Sequence, residues 1–95
     1  MPQNVSALAG KYSPWGYEQI TGMTSATALT VPTGAHFAII QAEAQNVRWR
    51  DDGTDPTASV GMLLVADQDI FYSGNLNNIR FFEASSGAIL NVTYY

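Results

Sequence analysis

The charge of this chain is gathered in one stretch. In "VRWRDDGTDPTASVG", Val47 to Gly61, Arg48 and Arg50 stand beside Asp51, Asp52 and Asp55, although the whole sequence holds only 4 basic and 8 acidic residues. Such a cluster suits calcium binding, acid–base catalysis or ion pairing. Calcium takes clustered carboxylate oxygens, but an EF-hand loop needs acids at alternate positions, glycine at its sixth and glutamate at its twelfth. Here Asp51 and Asp52 are adjacent, Gly53 falls too early and no glutamate follows at the required distance. An acid–base pair needs a cleft and one carboxyl with a raised pKa, whereas arginines beside Asp51 and Asp52 favour the ionised forms. The same residues build a turn well. Asp side chains bond nearby amides, Gly53 accepts positive φ at little cost, and Pro56 fixes a second bend. The stretch reads as turn architecture, with no metal site.

Arg48 and Arg50 are two residues apart, so on a strand they share one face and Trp49 takes the other. They either clamp an acidic neighbour or pair within the chain with Asp51, Asp52 or Glu43. In a charge-poor protein each ion pair at an interface adds specificity. Arg48, Arg50, Asp51, Asp52, Trp15 and Trp49 are therefore the candidate partner contacts. Trp15, Tyr17, Trp49, Tyr72, Tyr94 and Tyr95 either form an aromatic platform for sugars or pack the core. His36 has no Ser or Cys nucleophile at a suggestive spacing and reads as an ordinary strand residue. No Walker loop, GxGxxG after a strand, GxSxG or HExxH occurs. The sequence predicts no enzyme, no catalytic residue and no cofactor.

These side chains must be carried by one small domain of 95 residues. A domain of this size buries roughly 60–65% of its unfolded surface, and its stability is modest without help. The absence of cysteine removes disulfides and thiolate metal sites together. Self-association is then the expected extra source of stability. Charged residues are 13% of the chain, about half the usual share. The only bases are Lys11, Arg48, Arg50 and Arg80 against a net charge of −4, which argues against nucleic acid as a partner. No apolar run approaches the ~20 residues of a membrane helix, and no basic-then-apolar segment opens the sequence. A soluble, unexported protein without a membrane partner is expected.

Residues 1–14 show no sustained period and are predicted to form an extended arm, leaving residues 15–95 as the folded domain. Trp15–Ile20 and Thr27–Val31 read as strands, the second stopped by the Pro32-Thr33-Gly34 turn. Ala35–Arg50 is the longest candidate element. Its alanines and glutamines would tolerate a helix, yet Ile40, Ala42 and Ala44 alternate with Gln41, Glu43 and Gln45, the period of a half-buried strand. Val47 and Trp49 alternate in the opposite phase, so a bulge or a bend between sheets is predicted between Ala44 and Val47. Ser59–Ala66, Asp69–Gly74, Asn77–Ala84 and Ala88–Tyr95 complete about seven or eight strands at spacings of about 8–12 residues. The pattern predicts an all-β antiparallel sandwich or small barrel.

From "VRWRDDGTDPTASVGMLL" through "FYSGNLNNIRFFEASSGAILNVTYY" the chain resembles small virion proteins of tailed bacteriophages and prophages. The shared pattern is an Arg-rich strand, Asp-Gly, Pro-Thr-Ala-Ser, then Gly and apolar residues. An apolar-aromatic strand, an Arg-Phe strand and a terminal "NV-T-YY"-like strand follow. The likeness spans roughly Ala35 to Tyr95. Resemblance to head decoration (cement) proteins implies a jelly-roll-like β-sandwich, frequently a homotrimer, on the capsid lattice. It implies a structural role that bridges major capsid protein subunits, and a place in the virion assembled in the bacterial cytoplasm. The rival implication is a tail- or fibre-associated β-sandwich module that grips host-surface glycan, through exposed tryptophan and tyrosine, or another virion protein.

Overall fold

The structure, a computed structural model, describes residues 15–95. The arm expected over residues 1–14 lies outside the described residues. Eight strands follow in order: β1 Gly16–Ile20, β2 Thr27–Ala28, β3 Ala38–Glu43, β4 Val47–Arg50, β5 Met62–Leu64, β6 Asp69–Tyr72, β7 Arg80–Glu83 and β8 Ile89–Tyr94. They form two four-stranded sheets of order β1-β8-β3-β6 and β2-β7-β4-β5, and every pairing is antiparallel. The chain changes sheet at each connection except β4 to β5. That order is the double Greek key of a jelly roll. The expected β-sandwich is the fold.

The opposed phases before and after Ala44 mark a change of sheet. Ala42 is buried in β3 of the first sheet and Val47 is buried in β4 of the second. Between them the Gln45 amide donates to the Glu43 carbonyl (2.9 Å), and Ala44 takes φ 73°. Ala44 itself is exposed in this bend and does not continue the strand alternation. The predicted strand Thr27–Val31 shrinks to the two residues of β2. Beyond it the Thr30 amide donates to the Glu18 carboxylate (2.8 Å) in place of a ladder partner.

Alternation fills the space between the sheets. Ala38, Ile40 and Ala42 of β3 and Leu90, Val92 and Tyr94 of β8 meet Val47, Leu64 and Phe81 from the other sheet. Ile40, Val47, Leu90 and Val92 are wholly buried, and such side chains each contribute about 1.5–3 kcal/mol through burial. The opposite phase of β3 and β8 faces outward and carries Gln41, Glu43 and Asn91. The loop from β4 to β5 is anchored by Pro56, which is fully buried. Gly61 closes it at φ +135°, where a Cβ would lie 3.0 Å from the Trp49 carbonyl oxygen and 3.3 Å from Pro56 Cβ. No side chain fits there without a backbone shift.

Candidate functional site

The charged loop is wired mainly to itself and to the core. The Arg50 guanidinium grips Asp52 with two bonds, Nε to Oδ1 at 3.0 Å and Nη2 to Oδ2 at 2.5 Å. The bond from Arg50 holds the Asp52 carboxyl below the usual carboxylate range. Asp52 Oδ1 also accepts from the Thr54 amide (3.4 Å), spanning Gly53 at φ +87°. Asp51 bonds elsewhere: its carboxylate accepts from the Tyr72 hydroxyl (2.7 Å) and its carbonyl from Asn78 Nδ2 (2.8 Å). Burial, and then the Asp51 carboxylate, push the Tyr72 phenol up to about 12. Asp55 is exposed. Among the described residues no three of His, Asp and Glu converge to hold an ion.

Arg48 is half-buried and donates Nη1 to the Gly61 carbonyl (3.1 Å). Its Nε is buried without a partner among the described residues. Trp49 points the other way, packs against the core and meets Tyr72 edge-on with ring centroids 6.0 Å apart. Trp15 is exposed just before β1, with its ring 3.3 Å from where a Gly34 Cβ would sit. Arg50 and Asp52 engage each other, Asp51 and Trp49 both meet Tyr72, and the Trp15 ring lies against Gly34.

Two surfaces beyond the loop carry unspent binding capacity. The first is β5, one of the two edge strands of its sheet. Val60, Met62, Leu63 and Val65 lie on or beside it and are between 39% and 60% exposed. One side of an edge strand has unpaired amides and carbonyls, and apolar side chains beside them invite another strand. Arg48 pairs in register with Leu63 and with Phe82, so one cation sits among apolar neighbours.

The second is the outer face of β1-β8-β3-β6. Strand register aligns Gln19, Asn91, Gln41 and Asp69 in one row across all four strands. Tyr17, Thr93, Ile39 and Phe71 form the next row. Asn91 is the hub. Its Oδ1 accepts from the Tyr17 hydroxyl (2.6 Å) and Gln19 Nε2 (3.0 Å), while its Nδ2 donates to Glu43 Oε1 (2.9 Å) and Gln41 Oε1 (3.3 Å). Apart from Phe71, the residues of the two rows together with Glu43 line a groove of about 400 Å³. At one end of the face Phe37 stacks on Tyr95 (5.1 Å between centroids) and packs on Phe71 (4.7 Å). Sequence reasoning singled out Tyr17 but missed Gln19, Asp69 and Asn91. The signal was their outward strand phase, and it gains meaning only once register brings the four strands together.

Comparison with protein-family models finds no matching family, and comparisons with curated proteins and with solved structures find no match.

Proposed function

We propose that the chain is a structural protein of a tailed-phage particle, a homotrimeric capsid decoration protein that docks on major capsid protein subunits and stabilises the shell. The exposed apolar edge strand β5 carries this reading. Adding a strand from a capsid subunit would satisfy the main-chain groups of β5 that pair with no described strand, and burying Val60, Met62, Leu63 and Val65 would supply the apolar contribution. The low charge of the chain supports a role in assembly, since few side chains resist desolvation. The reading assigns no catalytic step and no cofactor.

The test mixes the purified protein with expanded capsids that lack it, then measures co-sedimentation and the temperature at which the capsids rupture. Saturable binding and a higher rupture temperature are expected, with both lost in Leu63→Asp. Absence of binding would overturn the proposal. The tail- or fibre-associated rival would use the same edge, and binding to purified tails in place of capsids would favour it. Mass measurement in solution separates trimer from monomer.

A further inference from the structure

We infer that the groove on the outer face of β1-β8-β3-β6 is a binding site for a neutral saccharide. This site is separate from the docking edge and does not depend on it. Three features point to the ligand class. A sugar hydroxyl both donates and accepts, so it needs donors and acceptors side by side. The groove supplies them from Gln19, Gln41 and Asp69, set around Asn91, whose own amide is spent on Tyr17, Gln19, Gln41 and Glu43. The internal network uses the carbonyl oxygen of Gln41 and one nitrogen of Gln19, and among the described residues it leaves the Gln41 NH2 and the Gln19 carbonyl for a ligand. The second feature is charge. Glu43 and Asp69 line the groove and, among the described residues, no lysine or arginine does, so phosphate, sialic acid and uronic acid would meet repulsion. The third is the apolar flank. Tyr17, Ile39 and Phe71 lie one register row away, and Tyr17 is 61% exposed. A pyranose presents an apolar C–H face beside its hydroxyls, and an exposed aromatic ring with a polar tip matches that mixed character.

The site is also preorganised. Its polar side chains sit on strands, and the Asn91 hub fixes several of them before any ligand arrives, which lowers the ordering cost of binding. About 400 Å³ falls within the size of ordinary small-ligand sites.

The test applies the full chain to a printed array of neutral hexose- and N-acetylhexosamine-ended oligosaccharides alongside sialylated and uronic-acid ones. Calorimetric titration of the strongest hit follows. Binding to a neutral glycan is expected, weakened about tenfold or more, equivalent to about 1.4 kcal/mol, in Asn91→Ala and in Gln41→Ala, and little changed by added salt. Gln41 is exposed, so its variant tests the site even if Asn91→Ala disturbs the face. An empty array, a preference for acidic glycans, binding that collapses with salt, or affinity unchanged in both variants would each overturn the inference. Retention of capsid binding by Asn91→Ala separates this site from the docking edge.

Discussion

The loop from β4 to β5 and the groove across β1-β8-β3-β6 invert each other. The loop concentrates charge within a few consecutive residues, and those charges are largely consumed by the fold. Arg50 holds Asp52, Asp51 anchors Tyr72, and Pro56 is buried beneath. The groove has no two lining residues adjacent in sequence, yet register sets them side by side and leaves hydrogen-bonding capacity open. Neighbours in sequence tend to satisfy one another. Residues gathered from four strands are held by the backbone ladders, so only Asn91 spends its whole amide on its neighbours and part of the capacity of Gln19 and Gln41 stays unused among the described residues. The loop should therefore matter to stability and little to saccharide binding, and the groove the reverse.

The strongest way to break that contrast is Gly61→Ala. The added Cβ meets the Trp49 carbonyl oxygen at a backbone angle that side chains rarely adopt. A loss of about 1–3 kcal/mol is expected in denaturant unfolding, with groove binding intact in the fraction that folds. Tyr72→Phe comes next. It deletes the bond to the Asp51 carboxylate and should cost about 1.5 kcal/mol. The same tyrosine gives a pH signature. Its folded pKa lies near 12 against an ordinary value of 10.0. The folded state thus holds that proton more tightly, and the associated stability is complete below about pH 10 and lost as pH rises through about 12. Burial and Glu18 push the Tyr94 phenol in the same direction. Alkaline titration of the unfolding midpoint should show this fall, and a shallower one in Tyr72→Phe.

Asn91→Ala should cost less than about 1 kcal/mol by the same denaturant assay, since its partners stay accessible to water, while groove binding drops about tenfold or more. Asp52→Asn should have the smallest effect. The Arg50–Asp52 pair is solvent-screened, and thermal unfolding should not resolve the variant from the parent.

Much of this was legible in the sequence because strand period and turn chemistry are local. Ile40 and Ala42 alternating with Gln41 and Glu43 announced a half-buried strand. The phase reversal before Val47 announced the passage between sheets. Asp52-Gly53 announced a turn, and Gly53 adopts the positive φ it requires. Ala44 misled because its apolar side chain continued the alternation by one residue beyond the end of β3. The fates of Arg48 and Arg50 were open, since a strand pattern shows that they share a face but not that one reaches Asp52 and the other the Gly61 carbonyl. The groove was hidden for a related reason. Gln19, Gln41, Asp69 and Asn91 are unremarkable one by one, and only long-range register joins them.

The most direct test of the assembly role is co-sedimentation with expanded capsids lacking the protein, for the parent chain, Leu63→Asp and Asn91→Ala side by side. The parent and Asn91→Ala should saturate the capsids equally, and Leu63→Asp should remain in the supernatant while still folded. Failure of the parent chain to bind, or equal binding by Leu63→Asp, would contradict docking through β5.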